Sequence, residues 1–282
     1  MVAFITAAIV GVVIGVLSGL LGIGGGTVMV PLFRLAFGMS PIMATATSLF
    51  TIVPTSISGM WKHHKNKTSL PRVGIVCGIA GACLSPIGVW AASVSPGWAI
   101  MGAAAIVVAY SSYTMFKKAL KAPKRSKAVA GAASAAQPVK EAAPAAKAAP
   151  AEVPVVKLTP AYVAKAAFIG IVAGFMSGYV GVGGGFIMVP LFVSMLGIPM
   201  RLASGTSLTA VCILAIPGVI EQGLLGNINY MVGIAMMVGS IPGAVLGANL
   251  VKRVPERELR FLFAGFLLVA AVLLMLNEAG IL

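Results

Sequence analysis

The sequence states one phrase twice. SGLLGIGGGTVMVPLF runs from Ser18 to Phe33, and SGYVGVGGGFIMVPLF runs from Ser177 to Phe192. The offset of 159 residues continues without a gap beyond the phrase. It carries Gly38 to Gly197, Ala44 to Ala203, Thr47-Ser48-Leu49 to Thr206-Ser207-Leu208, and Gly59 to Gly218. Half of positions 18–49 are identical to their partners. Apolar composition alone would align Leu with Leu, but not Gly, Pro, Thr and Ser. The chain is therefore two copies of one unit, and its fold must accept a Gly run followed by a Pro inside an apolar stretch, twice.

Lipid is the solvent for most of it. Of 282 residues 59% are hydrophobic and only 9% charged, too few to cover a soluble protein of this length. Apolar stretches run at about 3–21, 26–38, 41–60, 73–91, 97–116, 161–181, 185–198, 202–220, 230–250 and 260–279. Most have the ~20 residues that a membrane-crossing helix needs. The two that follow the Gly runs, 26–38 and 185–198, do not. This predicts an all-α polytopic membrane protein, with long-plus-short helix pairs forming a V at 3–38 and 161–198. The net charge of +14 does not indicate nucleic acid, because the charges lie between apolar stretches without interleaved aromatics. Cys77, Cys83 and Cys212 sit in apolar segments and read as packing residues. The start, MVAFITAAIV, lacks the basic region of a signal peptide and is expected to belong to the mature protein.

Composition divides the chain into a first repeat at 1–116, an Ala-, Pro- and Lys-rich linker at 117–160 expected to be disordered and solvated, and a second repeat at 161–282. Basic residues near membrane segments mark the cytoplasmic side. Loop 62–72, the linker with its flanks at 117–165, and loop 252–260 hold 18 of the 20 Lys and Arg residues. Loops 92–96 and 221–229 hold none. Equivalent loops thus have opposite charge: 62–72 maps onto 221–231, and 92–96 onto 251–255. The expectation is two inverted-topology repeats of about five segments each, a pattern common in secondary transporters. In a cell membrane this puts the linker and loops 61–72 and 251–260 in the cytoplasm, and both termini outside.

The Gly runs carry the candidate site. They do not match a dinucleotide fingerprint, since Thr27 and Phe186 follow the third consecutive Gly and no acid lies downstream at the right distance. Close helix packing is one role for Gly in membranes. The other is a helix break at Gly22, Gly24, Gly25 and Gly26 and at Gly181, Gly183, Gly184 and Gly185. A break frees backbone N–H groups at the positive end of the next helix, which suits an anion. Thr27 follows the first break, and Pro31 and Pro190 lie about one turn further in. Hydroxyls come next: Thr45, Thr47 and Ser48 in ATATSL, and Ser204, Thr206 and Ser207 in ASGTSL. They suit an oxyanion and equally suit helix capping or bonding to the preceding turn. Arg34 and Arg201 are the two basic residues outside the cytoplasmic clusters, placed to attract an anion at either mouth or to reach lipid headgroups.

No Asp occurs, and no Glu lies mid-segment, so a buried carboxylate relay is not expected. His63 and His64 fall in the basic loop and are expected to be solvated. There is no nucleophile–base pair and no metal cluster, so neither an enzyme nor a cofactor is implied.

The paired motifs, GIGGGTVMVP with ATATSL and GVGGGFIMVP with ASGTSL, resemble the sulfite exporter TauE/SafE family over the whole chain except the linker. The resemblance implies a polytopic transporter of sulfite, organosulfonates, thiosulfate or related small sulfur anions. It also implies that Gly22–Gly26, Pro31, Thr47 and Ser48, with their second-half partners, line the pathway. The expected partners are such an anion and the bilayer. No residue specifies a coupling proton or ion, or a homo-oligomer. An anion channel and a non-transporting scaffold or partner subunit are the alternative readings.

Overall fold

The computed structural model describes residues 2–121 and 159–278, so the expected linker lies almost wholly outside the described residues. The described chain is all helical: α1 (Val2–Leu21), α2 (Gly26–Phe37), α3 (Pro41–Lys65), α4 (Pro71–Val94), α5 (Gly97–Lys121), α6 (Pro160–Val180), α7 (Gly185–Met195), α8 (Met200–Leu224), α9 (Tyr230–Leu250) and α10 (Glu256–Glu278). Six of these, α3, α4, α5, α6, α8 and α9, are long and apolar enough to cross a membrane. α2 and α7, of 12 and 11 residues, are not. Their prolines do not interrupt them, as helix runs on both sides of Pro31 and Pro190. Pro removes one backbone donor in each.

Small residues set the main crossings. Gly11, Gly15 and Gly19 of α1 face Met236, Ser240 and Ala244 of α9, so the two helices run parallel. Gly170, Gly174 and Gly178 of α6 face Cys77, Gly81 and Ser85 of α4 in the same sense. Gly at every fourth position lets two backbones meet where lipid supplies no hydrophobic drive, and dispersion contacts do the holding. These two crossings are equivalents of one another under the 159-residue offset.

At the centre α3 and α8 run in opposite directions. Gly59 meets Leu208 while Gly218 meets Leu49, a reciprocal contact between equivalent positions. Ile52 and its equivalent Val211 each touch both Gly24 and Gly183. α5 and α10 pair at the opposite flank, also antiparallel, with the Ser112 hydroxyl donating to the Ala264 carbonyl at 2.7 Å.

The close crossings make a direct test. A β-carbon on Gly174 would fall 2.1 Å from the Gly81 carbonyl oxygen, whereas one on Gly102 meets nothing within 4 Å. Gly174→Ala should therefore cost about 1–3 kcal/mol or more, and Gly102→Ala should cost nothing. Thermal unfolding in a single detergent checks this, and equal losses in the two variants would refute the packing account.

Candidate functional site

Both Gly runs break the helix before them. The Gly22 amide closes the last turn of α1 on the Ser18 carbonyl at 2.8 Å, and Gly181 does the same on Ser177 in α6. Gly24 and Gly25 then adopt φ of 82° and 87°, and Gly183 and Gly184 adopt 81° and 68°. Only Gly takes this left-handed region without strain. The chain turns back: Gly25 lies against Ile14 and Ser18, and Gly184 against Ala173. The two turns also pack on one another. A β-carbon on Gly26 would lie 2.6 Å from the Val182 carbonyl oxygen, and one on Gly185 2.6 Å from that of Gly22. Residues 18–27 and 180–190 are all buried.

The backbone donors of the breaks are exceptional. Among the described residues, the amides of Ile23, Gly24, Gly25, Gly26 and Thr27 have no acceptor. Nor do those of Val182, Gly183, Gly184 and Phe186, while Gly185 bonds Gly183. Buried amides without a partner are rare in folded proteins. These lie at the positive ends of α2 and α7, far from any carboxylate in the sequence.

The hydroxyls divide into two sets. Thr47 accepts from the Asn229 amide at 3.0 Å, and its equivalent Thr206 accepts from the Leu70 amide at 2.9 Å. Each thus holds the amide just before a helix of the other half, Thr47 that of α9 and Thr206 that of α4, a cross-half bond that neither the ligand reading nor capping of their own helices expects. Thr45 and Ser204 donate back to Ile42 and Met200. Ser207 donates to the Gly22 carbonyl at 2.6 Å and also to Ser204. Its equivalent Ser48 has no partner, and neither do Ser18, Thr27, Ser56, Ser85 and Ser177, all buried. Of the hydroxyls picked out by the sequence motifs, only Thr27 and Ser48 are uncommitted.

Ser18 and Ser177 were legible as the first letters of the duplicated phrase, four residues before the breaks. Ser56, whose hydroxyl lies 3.6 Å from the β-carbon position of Gly24, had no such signal, because its equivalent is Ala215.

His63 is not solvated, contrary to the sequence expectation. It is fully buried, with Nε2 2.7 Å from the Gly19 carbonyl oxygen and Nδ1 2.8 Å from the Thr68 hydroxyl. The helix of α3 extends past the apolar stretch, and Gly205 leaves room for the ring. His64 is exposed as expected. Arg201 is half-buried and donates to the Val254 carbonyl at 2.8 Å, tying α8 to the α9–α10 loop. Arg34 is also half-buried, near the end of α2. No group of His, Cys, Asp and Glu suited to a metal occurs among the described residues.

A bundle of apolar helices, six of them long and apolar enough to cross a membrane, is that of a polytopic membrane protein. The sequence profile described as Sulfite exporter TauE/SafE matches residues 7–274, and the chain belongs to that family of membrane transporters. It is similar to a probable membrane transporter protein, YunE, of Bacillus subtilis, 25% identical over 91% of this chain and 92% of the relative. A probable membrane transporter protein of Methanocaldococcus jannaschii, MJ0441, is 25% identical over 95% of this chain and 94% of its own length. Sulfite exporter TauE/SafE family protein 3 of Arabidopsis thaliana is 37% identical over 30% of this chain and 17% of the relative. No solved structure matches.

The division of hydroxyls predicts opposite responses to truncation. Thr206→Val should strand the Leu70 amide and lower stability by about 1–3 kcal/mol. Ser48→Ala removes no bond and should leave stability within about 0.5 kcal/mol. Denaturant unfolding of the purified variants tests both, and a larger loss in Ser48→Ala would reverse the assignment.

Proposed function

We propose that this chain is a secondary transporter that exports a small sulfur-containing anion, such as sulfite, an organosulfonate or thiosulfate, by alternating access at the two helix breaks. One observation carries the reading: nine buried, unpartnered amides lie in two turns that pack on one another, with the unpartnered hydroxyls of Ser18, Thr27 and Ser56 in or beside the first, and neither run of sequence around them holds an Asp or Glu. Donors without acceptors call for a ligand made of acceptors, and an oxyanion presents several oxygens to them. Sulfur chemistry is favoured by the family's name.

Several observations support two inverted repeats facing opposite sides of the membrane. Equivalent loops differ in charge, α3 and α8 are antiparallel, and the contacts between the halves are reciprocal. Such a pair can exchange conformations, opening one break to each side in turn. On this topology the linker and loops 61–72 and 251–260 are cytoplasmic and both termini lie outside. An inside-negative potential then favours export, by about 2.3 kcal/mol per charge per 100 mV.

The test is binding and flux with purified protein. Sulfite, thiosulfate, sulfate, taurine, sulfoacetate and chloride are screened for thermal stabilisation, and sulfur anions should raise the melting temperature selectively. Ser18→Ala and Ser56→Ala should each weaken the best ligand about tenfold, ~1.4 kcal/mol, without shifting the ligand-free melting temperature. Ligand affinity unchanged in both variants would remove this site, and liposome fluxes near channel rates would replace the transporter with a channel.

A further inference from the structure

A second site lies on the flank of the bundle, away from the breaks. Between α5 and α10 runs an apolar groove of about 290 Å³, walled by Ala109, Tyr113, Phe116, Phe261, Gly265 and Leu268. It faces outward, as Tyr113, Phe116 and Leu268 are exposed. The helices are antiparallel, so the last turns of α5 adjoin the first turns of α10. There Phe116 and Phe261 meet edge to face with ring centroids 5.7 Å apart, closing one end of the groove.

Cations gather at that end. Arg257 lies over the Phe261 ring at 5.4 Å. Lys118 and Arg260 are near enough to interact electrostatically. The Lys118 ammonium is buried and has no partner among the described residues, and the Nε atoms of Arg257 and Arg260 are likewise unpartnered. Two acids are close in sequence. Glu256 is engaged, accepting from Arg260 at 2.6 Å and from the Met200 amide at 3.0 Å, and Glu258 is exposed. Arg260 shares the Glu256 carboxylate, but the Lys118 ammonium beside it has no counter-ion among the described residues, which favours an anion from elsewhere.

We infer that this groove holds one anionic phospholipid, its phosphate on Lys118, Arg257 and Arg260 and an acyl chain along the cleft. The stretch from Ala109 to Phe116 is about 10 Å long at ~1.5 Å per residue, enough for the upper part of a chain. A second copy of the protein is a poor occupant, because it would bring the same cations to the same place. The site lies at the basic end of both helices, which on the topology proposed above is cytoplasmic, the leaflet where anionic lipid concentrates.

The experiment titrates delipidated, detergent-purified full-length protein with phosphatidylglycerol, phosphatidylcholine and inorganic phosphate, reading melting temperature and bound lipid by native mass spectrometry. Phosphatidylglycerol should bind as one retained molecule and raise the melting temperature, with phosphatidylcholine at least tenfold weaker and phosphate without effect. Stabilisation by phosphate alone would make this a free-anion site and overturn the proposal, as would equal binding of the two lipids. Lys118→Gln with Arg257→Gln should abolish the preference. Gly265→Leu tests the cleft without touching the charges, because a β-carbon at Gly265 meets nothing within 4 Å. It should fold normally and lose the retained lipid. Retention of phosphatidylglycerol by Gly265→Leu would refute the groove as its seat.

Discussion

A backbone amide out of water must find an acceptor, and nearly everything in this structure follows from that requirement. Helices meet it within themselves, which is why the described chain is helical throughout. The requirement fails at the two places where Gly runs end α1 and α6 and begin α2 and α7. The remainder of the bundle is arranged around that failure. Small residues bring α1 onto α9 and α4 onto α6 at backbone contact, and α3 and α8 hold Ile52 and Val211 between the two breaks. A cluster of donors that would be intolerable facing lipid is thereby enclosed in protein.

The halves match in framework and differ in chemistry. Thr47 and Thr206 make the same bond across the halves, to the amides before α9 and α4, and the turns carry the same left-handed glycines. The differences fall next to the breaks. Ser207 spends its hydroxyl on the Gly22 carbonyl while Ser48 keeps its own free. Thr27 is answered by Phe186, and Ser56 by Ala215. Uncommitted hydroxyls therefore occur at both breaks, Ser18 and Ser177 at equivalent places, with Thr27 and Ser56 added on the first half's side alone.

Much of the fold was legible because the relevant signals are local. Stretches of apolar residues gave the helices, and Gly runs gave the breaks. Glycines at four-residue spacing on α1, α6 and α9 also mark the crossings, once the partner helix is known. What the sequence hid depended on distance across the fold. Thr206 and Thr47 looked like ligand groups because the amides they hold are 136 and 182 residues away. His63 looked solvated because its loop is basic, yet its partners come from α1 and from the turn after α3. Ser56 gave no sign, lying outside both motifs and without a hydroxyl at its equivalent position. Lys118 was read with the solvated linker, and only the pairing of α5 with α10 sets it beside Arg260.

The central claim is that the unpartnered amides of the breaks receive an anion. Selenite, a heavier analogue of sulfite, offers the most direct measurement through its anomalous scattering in crystals of the protein. The account predicts one strong peak within hydrogen-bonding reach, ~3 Å, of the amides between Gly24 and Thr27 or their second-half equivalents. A peak confined to Arg34, Arg201 or the basic loops, with the breaks unoccupied at saturating selenite, would contradict it.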